Sequence, residues 1–149
     1  MIRLETWISL GSLVMAIMFV ALITSFYSFL VGPDGQGPGI YVDPQGVLIQ
    51  IISISGAPSL ILAGTLFGFQ KKYETMHAAL ILIAAGIILI TGMFVAMMIL
   101  PKINATYIIA GMDLILYIFI IGGIGVFCFG CYLLNKSKRP RQNLEDEIH

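Results

Sequence analysis

Thr75 to Pro101 reads TMHAALILIAAGIILITGMFVAMMILP and contains no Lys, Arg, Asp or Glu. An α-helix rises about 1.5 Å per residue, so this stretch is long enough to cross a hydrocarbon core of roughly 30 Å. Its apolar residues lie on every face of such a helix, whereas a strand of a membrane β-barrel alternates apolar and polar side chains. The stretch therefore predicts a membrane-spanning helix.

Three further stretches share this character, and they run over residues 6–33, 44–70 and 114–135. The chain is 58% hydrophobic and 11% charged, against roughly 25% charged in an ordinary soluble domain. We expect an all-α, multi-pass protein of the cell membrane. Its four transmembrane helices are predicted over about residues 7–31, 47–69, 76–100 and 108–134, followed by a charged cytoplasmic tail over residues 135–149.

Basic residues fall almost entirely on one side of a four-span chain. Arg3, the pair at 71–72 and the basic residues of the tail share that side, and only Lys102 lies on the other. Basic residues in short loops stay in the cytoplasm. Both termini are therefore expected in the cytoplasm, with Tyr27 and Tyr107 at the outer membrane boundary. The first span is too long for a signal-peptide core, and we interpret it as a retained helix.

Glycine is dense in the second and fourth spans. Lipid tails are as apolar as Leu, so membrane helices associate through close packing at small residues. Some of these glycines are expected to pack the four helices together, but their density also predicts contacts with other integral membrane subunits. The residues predicted to make helix-packing or partner contacts are Gly64, Gly68, Gly122, Gly123, Gly125 and Gly130, of which the first two form a GxxxG pattern.

Two residues interrupt the apolar spans. Pro58 cannot donate a hydrogen bond to the carbonyl of Ile54, which predicts a kink, and a static kink that aids packing is favoured over a gate. Asp113 lies near the outer start of the fourth span, where a carboxylate costs less than at the membrane centre. We expect a structural or interfacial role for Asp113, while a proton relay and an ion pair with Lys102 stay open.

Other residues have competing interpretations. Asn104-Ala105-Thr106 matches the N-glycosylation acceptor pattern in an outer loop, which makes Asn104 a candidate modification site. Cys128 and Cys131 supply only half of a metal site, so we favour packing over palmitoylation. Four methionines at the outer ends of the third and fourth spans have thioethers suited to Cu(I), yet Met is also an ordinary gap-filler. These methionines are Met93, Met97, Met98 and Met112.

Motifs of catalysis and of nucleotide binding are missing from the sequence. It contains no H-E-x-x-H, no G-x-S-x-G and no phosphate loop. The formal net charge of +0 gives no indication of a nucleic-acid partner. We therefore expect no catalytic residue, and no metal or cofactor bound by this chain itself.

The chain combines the four-span plan with the outer loop Gly32–Gly39, the short hairpin at Lys71-Lys72 and the basic tail. In these features it resembles the small accessory subunits of archaeal membrane oxidases. Most specifically, the whole chain resembles an extra subunit of archaeal ammonia monooxygenase, a copper membrane enzyme. The resemblance implies a non-catalytic subunit packed around a catalytic core, with copper held by partner subunits. The alternative is a small homo-oligomeric transporter or channel, in which Gln50, Pro58, Asp113 and the Gly-rich fourth span line a path.

Overall fold

A computed structural model describes residues 4–33, 35, 37–38, 40, 42–69 and 76–148 of the chain, and the side chains of these residues except 5, 67–69 and 136–148. The described residues form helices and loops, and none of them lies in a strand. The helices are α1 (Leu4–Val31), α2 (Pro44–Ile51), α3 (Ala57–Phe69), α4 (Met76–Ile99) and α5 (Met112–Ile148). A π-helical turn, Ile52–Gly56, joins α2 to α3 without a break.

Four segments of this structure are long and apolar enough to cross a membrane. They are span 1 (Thr6–Val31), span 2 (Pro44–Leu66), span 3 (Met76–Lys102) and span 4 (Met112–Asn135). Only 28% to 39% of the most apolar window of each span is buried within the protein, so most of its apolar surface faces the surroundings. Such a surface fits a lipid bilayer. The prediction of an all-α protein with four membrane-spanning helices is confirmed.

Around the bundle the spans follow the order 2, 1, 3, 4, so that spans 2 and 4 also face each other. Helix α4 packs against both α1 and α5, and α1 packs against α3, whereas α3 and α5 barely touch. We call the end of the bundle that carries the connections 32–43 and 100–111 the loop end, and the opposite end the tail end. Beyond span 4, α5 continues as a helix through the tail to Ile148.

Helices α4 and α5 make a close backbone contact. A methyl group added at Gly86 would lie 2.7 Å from the Phe127 nitrogen and 2.8 Å from the Gly123 oxygen. One added at Gly130 would lie 2.9 Å from the Ile83 nitrogen. Because these neighbours are backbone atoms, side chains cannot be accommodated there without separating the helices. Glycine at these positions sets the spacing of spans 3 and 4.

An aromatic pair lies at the centre of the bundle. The ring centroids of Phe19 on α1 and Phe119 on α5 are 4.3 Å apart, with the rings tilted by 35°. Both side chains are buried. A methyl group added at Gly56 would lie 2.7 Å from Cζ of Phe119 and 2.9 Å from Cε2 of Phe19. The π-helical turn therefore meets the aromatic pair at a residue without a side chain.

Candidate functional site: a groove between spans 2 and 4

Span 2 is held to span 1 by two serines. Ser12 Oγ donates to the Ser59 carbonyl at 2.8 Å, and Ser59 Oγ donates to the Ser12 carbonyl at 3.0 Å. Pro58, which lacks a backbone N–H, lies directly before Ser59. Ser55 Oγ bonds back to the Ile51 carbonyl at 2.8 Å, within its own helix. The π-helical turn of span 2 therefore contains a hydroxyl bond to its own helix, and the α-helix that follows the turn is held to span 1 through Ser59.

Spans 2 and 4 separate toward the tail end. Their last close approach is at Leu60 and Gly122, where a methyl group added to the glycine would lie 3.1 Å from Leu60 Cδ1. Beyond this point an open groove with a volume of about 360 Å³ lies between the two helices. Besides Leu60, its lining residues are Ala63 and Gly64 from α3, and Gly122, Gly125, Val126 and Phe129 from α5.

The groove is apolar, and two of its three glycines are open. Gly64 and Gly125 are exposed, and a methyl group placed on either would have no heavy atom of the described residues within 4 Å, apart from its chain neighbours and the backbone of its own helix. None of the described residues that line the groove is charged. Large apolar side chains next to it, such as Ile61 and Ile121, are 65% and 69% exposed. The surface can therefore accept an apolar helix at close backbone distance.

The six predicted contact glycines thus have different positions. Gly123 and Gly130 are buried against α4, and Gly122 is half-buried beneath Leu60. Gly64 and Gly125 face the open groove. Gly68 lies outside the residues whose surroundings are described. These glycines look alike in the sequence. In the structure, Gly123 and Gly130 face α4, whereas Gly64 and Gly125 face outward.

Asp113 and Asn104 both lie at the loop end. Asp113 is exposed in the first turn of α5, and no ion pair joins it to the exposed Lys102. Asn104 Oδ1 accepts hydrogen bonds from the backbone nitrogen of Thr106 at 3.2 Å and from its hydroxyl at 3.3 Å. Thr106 is exposed, so the glycosylation acceptor pattern forms a compact turn on the surface.

The two cysteines and the four candidate methionines differ in their burial. Cys128 and Cys131 are free thiols on the exposed surface of α5. Met93 and Met112 are buried in the core cluster and Met97 packs against that cluster, whereas Met98 is 72% exposed. In the part of the chain that the structure describes, no group of three or more His, Cys, Asp or Glu residues is placed to hold a metal ion.

The burial of the Tyr27 side chain differs from what the sequence predicts. Its position near the end of span 1 predicts a wet phenol at the membrane boundary, but the side chain is 0% exposed. The signal that could have indicated burial is the four-residue spacing of Phe19, Ile23 and Tyr27, which places all three on one helix face. Ile23 is also 0% exposed, so this face is a core face throughout.

Comparisons with known proteins give no match: no family model, no curated protein and no solved structure is significantly similar to this chain.

Proposed function

We propose that this chain is a non-catalytic structural subunit of a multi-subunit membrane complex, and that the groove between spans 2 and 4 receives a transmembrane helix of another subunit. The observation that carries the proposal is the pair Gly64 and Gly125, which line the groove with open space above them. Small residues in membrane helices allow the close backbone approach on which association in lipid depends. Here no described residue of the chain itself covers that surface.

The contrast with the inner glycines supports this assignment. Glycine within a helix costs roughly 0.5–1 kcal/mol relative to alanine. At Gly86 and Gly130 the cost is offset by backbone contact between α4 and α5. At Gly64 and Gly125 no contact within the described residues offsets it. A neighbouring helix that packs across these two positions would supply the missing contact.

The chemistry of the groove favours an apolar helix over a polar substrate. Its walls are formed by aliphatic side chains, glycine and the ring of Phe129. A pathway for ions or polar solutes requires polar or charged lining groups, and Asp113 and Gln50 do not belong to the lining. This argues against the alternative of a transporter or channel that uses the groove.

For the host complex we propose an archaeal copper membrane monooxygenase that oxidises ammonia, in the cell membrane and with both termini of this chain in the cytoplasm. The support is the resemblance in span plan, outer loop and basic tail. Following the same resemblance, copper is assigned to partner subunits, and this chain contributes packing surface.

Native purification from the source membrane in mild detergent tests the proposal. We expect unlike membrane subunits to co-purify at a constant ratio with the wild-type chain. Gly64→Leu and Gly125→Leu should reduce co-purification because a leucine side chain fills the groove. Ala21→Leu, at an exposed position of α1, is the matched control and should retain the partners.

Two results would overturn the proposal. A symmetric oligomer of this chain alone would instead favour the transporter or channel hypothesis. Equal co-purification of Gly125→Leu and Ala21→Leu would show that partners bind a surface other than the groove.

A further inference from the structure

Helix α5 does not end where span 4 ends. Span 4 extends to Asn135, whereas the backbone continues as an α-helix to Ile148. At about 1.5 Å per residue, this extension over residues 136–148 is roughly 20 Å long. The sequence predicts a charged tail here, and the helical backbone now gives each charged residue a position along an axis that starts at the membrane.

The membrane boundary of span 4 lies close to Asn135. Asn135 is exposed, and the next residue, Lys136, is the first charged residue after Asp113. Tyr132, one turn earlier, is 53% exposed, and tyrosine rings in membrane helices prefer the level of the headgroups. The extension therefore begins in the headgroup region, which is roughly 5–8 Å thick on each side of the hydrocarbon core.

The charged residues of the extension are ordered by depth. Its basic residues come first, about 1.5–9 Å beyond Asn135 along the helix. We call these residues the basic collar, and they are Lys136, Lys138, Arg139 and Arg141. The acidic residues at 145–147 follow about 15–18 Å beyond Asn135. Three collar residues precede Pro140, so a bend at this proline leaves their depth unchanged.

The collar residues are also distributed around the helix. Successive residues of an α-helix are rotated by about 100°, which places these four positions around the whole circumference. A helix that lies flat in the membrane interface instead has its charges on one face and large apolar residues on the other. The extension has two aliphatic residues, Leu144 and Ile148. This pattern suits a helix that stands upright in the headgroup region.

We propose that the basic collar binds the phosphate groups of anionic lipids. Groups of four to eight Lys and Arg residues directly beside a membrane span attract such headgroups. By spacing, Arg141 has an acidic residue of its own helix four positions later, Glu145, and the other collar residues have none at three or four positions. Most of the collar charge is therefore left for lipid.

Charge also decides between lipid and a second copy of this chain. A copy in the same orientation would have its own basic collar at the same depth, and like charges repel each other. Anionic headgroups are present at this depth on every side of an upright helix. The proposal concerns the lipid around α5 and does not depend on the groove between spans 2 and 4.

Electron paramagnetic resonance of spin-labelled lipids tests the collar in nanodiscs that contain the full chain. The spectra give the fractions of phosphatidylglycerol and of phosphatidylcholine that are immobilised at the protein. Both leaflets have the same composition, so the orientation of the chain does not affect the result. We expect phosphatidylglycerol to be preferred about fivefold, which corresponds to the attraction of one basic residue near an anionic surface. High salt should reduce this preference.

A collar variant and a matched control locate the binding site. The collar variant is Lys136→Gln/Lys138→Gln/Arg139→Gln/Arg141→Gln, and the control is Glu145→Gln/Asp146→Asn/Glu147→Gln. The collar variant should lose the preference for phosphatidylglycerol. The control should keep it, because it changes three charges of the same helix beyond the headgroup region. Arg139→Lys/Arg141→Lys should also keep it, since the positive charges are retained.

Two results would overturn the proposal. A preference that persists in the collar variant would show that anionic lipid binds elsewhere on the chain. Equal binding of the two lipids by the wild type would instead favour an acidic surface of another subunit as the partner of the collar.

Discussion

Ser12 and Ser59 each donate a hydrogen bond to the backbone carbonyl of the other, at 2.8 Å and 3.0 Å. Both side chains are 1% exposed, and 47 residues separate them in the chain. A serine in a membrane helix often bonds to a carbonyl of its own helix, as Ser55 does here. The reciprocal bonds instead fix the register of α1 against α3. They do so in α3, one residue after Pro58 and three residues after the end of the π-helical turn at Ile52–Gly56.

Removing either hydroxyl should weaken the bundle moderately. Hydrogen bonds between membrane helices contribute about 0.6 kcal/mol on average, with a maximum near 1.7 kcal/mol. We expect a loss in this range for Ser12→Ala and for Ser59→Ala. The double variant should lose about the sum, because each bond ends on a backbone carbonyl that the other substitution leaves in place.

The unfolding free energy of the full chain in mixed micelles is the measurement. Ser25→Ala, at an exposed position of α1, is the control and should change the free energy by less than Ser12→Ala or Ser59→Ala. Equal values for Ser12→Ala and Ser25→Ala would mean that the reciprocal bonds add nothing to stability.

Gly86 should not tolerate even a methyl group. The added carbon would lie 2.7 Å from the Phe127 nitrogen and 2.8 Å from the Gly123 oxygen, and these backbone atoms cannot move without shifting α5. Overpacking typically costs about 1–3 kcal/mol, so Gly86→Ala should lose that much unfolding free energy. Gly64→Ala is the matched control, because the space beside Gly64 is open. It should be neutral or slightly stabilising in the isolated chain.

Substitutions at Gly86 and at Gly64 distinguish an effect on the stability of the chain from an effect on its assembly with partners. Gly86→Ala should lower the unfolding free energy whether or not partners are present. A larger residue at Gly64 should leave the isolated chain stable but reduce co-purification of other subunits. Destabilisation of the isolated chain by Gly64→Ala would show that this glycine has an internal contact.

Gly56 should behave differently from Gly86, because its neighbours are side chains. A methyl group there would lie 2.7 Å from Cζ of Phe119 and 2.9 Å from Cε2 of Phe19. We expect Gly56→Ala to destabilise by about 1–3 kcal/mol through displacement of the rings. Phe119→Leu removes the ring atom nearest to the added methyl group. The double variant should therefore lose less unfolding free energy than the sum of the two single losses.

An additive result in this cycle would mean that the alanine methyl group is accommodated by movement of span 2 rather than by the rings. The π-helical turn at Ile52–Gly56 makes this a real alternative outcome, because an irregular turn can adjust its backbone. The measurement is the unfolding free energy, in one detergent, of the wild type, Gly56→Ala, Phe119→Leu and the double variant. It distinguishes movement of the rings from movement of span 2.

The four spans were predictable because apolar length is a local property of sequence. The stretch from Thr75 to Pro101 is too long and too uniformly apolar for any alternative but a membrane helix. The order in which the spans pack was not predictable from the same property. Residues that are apolar on every face do not indicate which face contacts protein and which contacts lipid.

Neighbouring glycines illustrate this difference. Gly122 lies beneath Leu60 and lines the groove, whereas Gly123 lies against α4. The sequence shows that both residues are small. Which of them faces the groove and which faces α4 depends on how α5 is rotated about its axis. Pro58 likewise indicated irregular backbone in span 2, while the π-helical form of the turn and the role of Ser12 depend on contacts between helices.

Asn104 offers a test of modification and of topology together. Its side-chain oxygen accepts from the backbone nitrogen and hydroxyl of Thr106, which holds the acceptor pattern in a compact, accessible turn. If the loop end faces outward, expression in a host that glycosylates such patterns should add a sugar, detected as a mass shift that glycosidase removes. Asn104→Gln and Thr106→Ala should abolish the shift, and Thr106→Ser should retain it.

Labelling of thiols completes the topology test, because Cys128 and Cys131 are exposed toward the tail end. A membrane-impermeant thiol reagent should leave both unlabelled in intact cells and label a cysteine introduced at the exposed position Ala105. Labelling of the tail-end thiols from outside would reverse the predicted orientation. If Ala105→Cys is labelled but Asn104 carries no sugar, the loop lies outside the cell as predicted. The prediction that Asn104 is a glycosylation site would then be wrong.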